Sequence, residues 1–272
     1  KRQVLVRTHL LCSKKHVELG PSREEDKARF VALGDKLYDR AMRLLKDLPK
    51  EDVWAPNAGL PDARFVFGRS RCHGRLPETI DLVTAYLQAY LNSPYPIYAV
   101  LEPVLISLMP PEERAHYEAI EAAGDQPVCE IERAIYGLGR SGFAFHVRFV
   151  GWLLLNAWRR MSEAPGILFK WHTEDPSVEI RRAMNLAKLV EECWEQEGRD
   201  MVSENYQDGT KAAGTWSEIY DRVQQQEEDW EDARRHAGGT QDCSVMATYV
   251  DDVALDAEAR RRKAIWSITR LL

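Results

Sequence analysis

Apolar and polar residues alternate along Gln3-Val4-Leu5-Val6-Arg7-Thr8-His9-Leu10-Leu11, the period of two that predicts a β-strand. A charged linker from Glu18 to Asp26 leads to a second strand, Lys27-Ala28-Arg29-Phe30-Val31-Ala32-Leu33, closed by Gly34. Leu37, Met42, Leu44, Leu45 and Leu48 recur at helical spacing, so Leu37 to Leu48 is expected to be helical. Trp54 to Ala58 reads as a loop. Pro61 to His73 reads as a helix with proline in its first turn and Gly74 as its stop. Thr79 to Tyr90 is an apolar strand whose only charge is Asp81.

A turn at Ser93-Pro94-Tyr95-Pro96 precedes a strand from Ile97 to Leu105 and a helix from Pro110 to Ala123. Val128 to Gly142 passes from strand into a glycine-rich bend. Phe143 to Met161 is a long apolar helix, and Gly166 to Trp171 a further strand. Pro176 to Ala237 is rich in Glu, Gln and Arg, with Met184, Leu186, Leu189, Val190 and Trp194 at helical spacing; it predicts two or three amphipathic helices, with Gly238-Gly239 at their exit. Ala247-Thr248-Tyr249-Val250 and Val253-Ala254-Leu255 are two short strands with Asp251 and Asp252 at the hairpin tip between them, and Glu258 to Leu272 is a last helix. Strands and helices in this mixture define an α+β fold.

The 272 residues are 44% hydrophobic and 29% charged, an ordinary globular composition. No apolar run approaches the roughly 20 residues that cross a bilayer, so no membrane partner is expected. With no initiator Met and no signal-peptide pattern, the chain reads as cut from something longer. Cys12, Cys72, Cys129, Cys193 and Cys243 are odd in number and form no Cys-x-x-Cys, which predicts neither a disulfide framework nor structural zinc and suits a reducing compartment. The net charge of −6 conceals an asymmetry: residues 174–242 hold 18 acidic against 8 basic side chains, whereas residues 1–80 hold 17 basic against 11 acidic. A basic scaffold interrupted by one acidic block remains compatible with nucleic acid.

Adjacent carboxylates at a turn repel, and a divalent cation between them keeps both ionised. For Asp251 and Asp252 that points to Mg²⁺; a polar turn in water is the plainer alternative. Asp81, a charge in a strand otherwise fit for burial, is the third carboxylate such a site needs. Three carboxylates bridging two Mg²⁺ ions about 3.5–4 Å apart form a clamp for in-line displacement at phosphorus. Lys27 and Arg29, two apart and so on one strand face, are either a clamp on phosphate oxygens or a solvated edge.

Taken in order, Lys27-Ala-Arg-Phe-Val-Ala-Leu-Gly34, Asp81-Leu-Val-Thr-Ala-Tyr86-Leu, Ile135-Tyr-Gly-Leu138 and Tyr249-Val-Asp-Asp252 resemble the reverse transcriptase domain of copia-type LTR retrotransposons. The resemblance runs from about residue 23 to the C-terminus, the acidic block excepted. It implies a right-hand polymerase: fingers from 1–78 with 93–130, a palm with an antiparallel sheet from 79–92, 131–172 and 243–272, a helical insertion over 173–242, and no thumb or RNase H domain. It implies RNA-directed DNA polymerisation with two Mg²⁺ ions held by the catalytic Asp81, Asp251 and Asp252. Lys27 and Arg29 would bind triphosphate. Tyr86 would exclude a 2′-hydroxyl, the alternative being a core tyrosine, and Tyr136 and Gly137 would line the nucleotide and template pocket. Implied partners are an RNA or DNA template with its primer, deoxynucleoside triphosphates and the rest of the polyprotein, in cytoplasmic virus-like particles or the nucleus.

Two departures stand out. The family's Lys-Gln-(Ala or Ser)-Pro after Tyr-Gly-Leu is here Gly139-Arg140-Ser141-Gly142, and about 70 residues stand where a short turn usually joins the strand at Gly166 to the Asp-Asp hairpin. Two other readings therefore stay open: a truncated remnant that keeps the fold and nucleic-acid binding without turnover, and an interaction module formed by the acidic block.

Overall fold

A computed structural model describes residues 3–15, 20–46, 57–91, 93, 95–161, 163–172, 175–197, 243–249 and 252–271, side chains 193–197 excepted. Among these the fold is mixed α and β, with two sheets and six α-helices. The chain divides into two compact units, Lys1–Trp54 with Ala89–Ala144, and Ala55–Gln88 with Phe145–Leu272.

In the first unit, β1 (Val4–Lys15) pairs antiparallel with β2 (Glu25–Tyr38) and parallel with β4 (Ile97–Val100), which pairs in turn with β5 (Val128–Glu130). Val4, Leu5, Val6, Ile97 and Ala99 form its buried centre, whereas the far half of the β1–β2 ribbon is exposed. Helices α2 (Pro103–Ser107) and α3 (Pro111–Ala122) follow β4.

Among the described residues up to 46, the expected helix from Leu37 is absent. Leu37 and Tyr38 remain in β2 opposite Val6 and Leu5. The Asp39 carboxylate then accepts hydrogen bonds from the backbone N–H groups of Ala41 and Arg43, both at 2.9 Å, and Met42 takes φ 57°. An Asp-led turn thus captures the backbone donors that a helix would have used. The strand expected through Leu105 stops at Val100, because Pro103 opens α2.

The second unit holds a five-stranded antiparallel sheet in the order β3 (Glu78–Asp81), β9 (Asp252–Asp256), β8 (Cys243–Tyr249), β7 (Ile167–Trp171), β6 (Arg159–Arg160). One face carries Ile167, Cys243, Val245, Ala247 and Ala254, covered by Val66 of α1 (Leu60–Cys72). On the opposite face lie Leu168, Met246, Val253 and Leu255, all buried. Glu78, also on that face, accepts hydrogen bonds from Arg262 and Trp266 of α6 (Ala259–Thr269). Helix α4 (Ser141–Leu155) buries Phe145, Phe149, Trp152 and Leu153 at about 2 kcal/mol each. Its Trp152 Nε1 donates to the Ile268 carbonyl of α6 at 2.9 Å.

The strand expected from Thr79 to Tyr90 ends at Asp81. Thr84 turns the chain with φ 54°, its carbonyl accepts the Leu87 N–H at 2.9 Å, and a 3₁₀ turn runs over Ala85–Gln88. Helix α5 (Pro176–Glu197) opens the acidic block. It buries Glu179, Ala183, Leu186 and Val190, one stripe at helical spacing, and packs on α6. The further helices expected up to Ala237 lie outside the described residues. Among the described residues no helix is long and apolar enough to cross a membrane.

His146 of α4 is buried, and Arg160 donates to its Nε2 at 3.4 Å. Burial, aided by the Arg160 charge, pulls its pKa down to about 4. Between the unfolded value near 6.5 and that figure the unfolded chain takes up a proton that the folded chain refuses, so stability falls as pH drops through this window, by up to about 3 kcal/mol. Urea titrations at pH 7 and pH 4.5 should show this loss in the wild type and a smaller one in His146→Gln.

Candidate active site

β3 lies beside β9 in a register that sets Glu78 opposite Leu255, Ile80 opposite Val253 and Asp81 directly opposite Asp252. Directly opposed Cα atoms in an antiparallel pair are about 4.5–5.5 Å apart, close enough for the two side chains to interact. Both carboxylates are exposed, whereas their strand neighbours Val253 and Leu255 are buried on the other face. Asp252 is therefore the first residue of a strand rather than part of the turn. It also pairs with Tyr249 across β8, and the two residues joining them, Val250 and Asp251, lie outside the described residues. Among the described residues no three His, Cys, Asp or Glu side chains converge. Two hard oxygen donors in apposition have the chemistry that Mg²⁺ takes up, with water and phosphate filling its other positions.

Asp256 is on the same face of β9 but fully buried. Arg69 of α1 pairs with one of its oxygens and Arg75 lies 3.6 Å from the other. Both arginines also donate to the Cys243 carbonyl, at 3.3 Å. Two acids four residues apart thus have opposite fates: one is neutralised in the interior and the other faces Asp81 in solvent. Only a trace of this is legible in the sequence, in the Asp at each end of an otherwise apolar Asp252-Val-Ala-Leu-Asp256.

Tyr86 belongs to the same unit. Half-buried in the 3₁₀ turn after Asp81, its ring meets the Phe145 ring edge-on at 6.2 Å.

Lys27, Arg29, Tyr136 and Gly137 belong to the first unit. Lys27 and Arg29 share one face of β2, opposite Ser13 and Leu11, and Arg29 stacks over the Tyr136 ring at 5.6 Å. The Tyr136 carbonyl accepts the Ala32 N–H at 2.8 Å and that of Gly137 accepts the Gly34 N–H at 3.2 Å, so this bend docks on β2. At Gly137 φ is 91°, and a Cβ there would stand 1.9 Å from the Ala32 carbonyl oxygen. In the segment that follows, Arg140 and Ser141 are buried and bonded. Arg140 Nε donates to the Leu91 carbonyl at 3.1 Å, and the Ser141 hydroxyl donates to the Ile135 carbonyl at 2.6 Å while accepting its N–H at 3.1 Å.

The sequence reading missed a second polar cluster, where α5 leaves the sheet. His172 Nδ1 faces Glu179 Oε1 at 3.0 Å, its Nε2 faces Ser244 Oγ at 2.8 Å, and Lys170 Nζ lies 3.5 Å from Glu179. The order of groups is that of a nucleophile, a base and an orienting acid. Ser244 and the His172 side chain are both 0% exposed, so no substrate reaches them and the cluster is structural. Burial pulls the Lys170 pKa down against the pull of Glu179. Burial would raise that of Glu179, but the His172 hydrogen bond and the Lys170 charge outweigh it and hold the carboxyl below its ordinary value.

Comparison of the chain with protein-family models, curated proteins and solved structures finds no match. The residues themselves carry the functional argument.

Replacing Gly137 with alanine forces both a left-handed backbone and a clash with β2, which should cost about 2 kcal/mol or more. A urea midpoint for Gly137→Ala equal to that of the wild type would contradict this.

Proposed function

We propose that the chain is an RNA-directed DNA polymerase, the reverse transcriptase of a copia-type retrotransposon. The unit of Ala55–Gln88 and Phe145–Leu272 would be its palm and the other unit its fingers. The observation that carries this reading is the apposition of Asp81 and Asp252: acids 171 positions apart meet on adjacent strands in solvent, where like charges in direct opposition are destabilising unless a cation or substrate uses them. Asp81 and Asp252, with Asp251, would hold Mg²⁺. The metal, when bound, lowers the pKa of the primer 3′-hydroxyl and neutralises charge on the phosphates.

The chain's own groups supply positioning and charge. Exposed on the sheet face, the two carboxylates orient what binds between them. Tyr86, stiffened against Phe145, would present its ring to the sugar and reject a 2′-hydroxyl. Arg29, steadied by the Tyr136 ring, and Lys27 would hold the triphosphate. Template, primer and deoxynucleoside triphosphates are the partners, with the remainder of a polyprotein.

The test is primer extension on poly(rA)·oligo(dT) with Mg²⁺. Wild type should extend the primer; Asp81→Asn and Asp252→Asn should each lower the rate about a thousandfold or more without lowering the urea midpoint. Equal activity in wild type and Asp81→Asn would sink the proposal. Tyr86→Ala should admit ribonucleotides at least tenfold better relative to deoxynucleotides, read as the ratio of kcat/KM values. A second reading, a remnant that binds nucleic acid without turnover, is favoured by the buried Arg140 and Ser141, which occupy the bend where the family carries other residues. Duplex binding without extension would select it.

A further inference from the structure

α1 carries an outward face that the fold does not use. At 100° per residue, Val66 and Ser70, both 0% exposed, define the side turned to the sheet; Arg64, Gly68 and Arg71 fall on the opposite side, with Leu60 and Phe67 at its edge, and all five are exposed. A helix anchored through so narrow a stripe normally turns polar side chains outward, yet here a bare glycine stands between two arginines, with an aromatic ring at the edge of the face. Arg69, at the flank, and Arg75, just beyond the helix, are engaged by Asp256 and the Cys243 carbonyl. Arg64 and Arg71 make no ion pair among the described residues.

Gly68 is the second observation. Glycine in the middle of a helix is destabilising relative to alanine, and a Cβ at Gly68 would meet nothing within 4 Å. Packing within the chain does not require it. A bare backbone at the centre of an exposed cationic and aromatic stripe suits a molecule that lies close against the helix.

We propose that this face binds the sugar–phosphate backbone of an RNA–DNA duplex, with Arg64 and Arg71 on phosphates and Phe67 and Gly68 against the sugars between them; the identity of the duplex rests on the polymerase reading. Seven residues of helix separate the two arginines by about 10 Å, about three steps of 3.4 Å measured along a duplex axis. Two unpaired guanidiniums complement phosphates in charge and in fork geometry. The helix runs beside β9 from its Asp252 end to its Asp256 end: the Ala58 N–H, just before α1, bonds the Thr248 carbonyl at 2.7 Å, and Arg69 reaches Asp256. A strand leaving the carboxylate pair along this face meets Arg64 before Arg71.

The experiment uses the whole chain and a fluorescein-labelled RNA–DNA hybrid, with anisotropy read in EDTA over a salt series and primer extension read in parallel. The double variant Arg64→Gln/Arg71→Gln should weaken hybrid binding about tenfold or more and lower the slope of log K against log salt by about two. Gly68→Ala should raise the thermal midpoint while weakening binding severalfold, a combination that a purely structural glycine does not give. Arg181→Gln, at an exposed position on α5, should change neither. Double-variant affinity within twofold of wild type with an unchanged slope overturns the proposal, as does Gly68→Ala binding at wild-type strength. Loss of binding to phosphatidylserine vesicles but not to the hybrid overturns it in favour of a membrane surface. Arginine-dependent hybrid binding by a wild type that extends no primer supports this surface and removes the polymerase reading; extension with arginine-independent binding does the reverse.

Discussion

The register between β3 and β9 is the constraint on which the second unit depends. Side chains alternate faces along a strand, so a slip of one residue would carry Val253 and Leu255 to the face that α1 covers and drive Asp252 into the opposite, buried face. Burial of those two residues and of Met246 opposes such a slip with several kcal/mol of apolar transfer. Pairing of Val245–Tyr249 with Asp252–Asp256 sets β9 against β8, and β3 then aligns on β9. Apolar packing on one face thus dictates where two acids stand on the other.

Polar groups inside the unit act on top of that register. Asp256 is buried because α1 delivers Arg69 and the turn after it delivers Arg75, and removing one partner of such a pair leaves an uncompensated charge in the interior. The cluster of Lys170, His172, Glu179 and Ser244 joins the last residues of β7, the first turn of α5 and the start of β8, both roots of the acidic block. These contacts, with the buried stripe of α5, make the beginning of that block part of the fold rather than an appendage.

Among the described residues no cation pairs with Asp81 or Asp252, and their exposure distinguishes them chemically from Asp256. In the first unit the bend at Tyr136 and Gly137 owes much of its shape to backbone contact with β2, and Arg140 and Ser141 have packing roles of their own. Residues that motif comparison would weigh as one block therefore separate into those that hold the chain and those left free to meet a ligand.

The sequence by itself determined the elements whose pattern is strong and local. The alternation from Gln3, the proline-led α1 and α3 and the hairpin around Asp252 lie within a few residues of their expected places; the apolar helix expected from Phe143 to Met161 starts as expected but ends at Leu155, and Arg159–Arg160 form β6 instead. It failed at Leu37–Leu48, where side-chain capture of the backbone by Asp39 outcompeted helical periodicity, and beyond Asp81, where Thr84 turns the chain. Tertiary structure alone decided that α1 packs on the sheet of Asp81, that Asp81 meets Asp252, and that Asp256 is buried. Alternation assigns a residue to one of two faces but is blind to which distant strand lies alongside, and the burial of a carboxylate depends on an arginine 187 positions away in the chain.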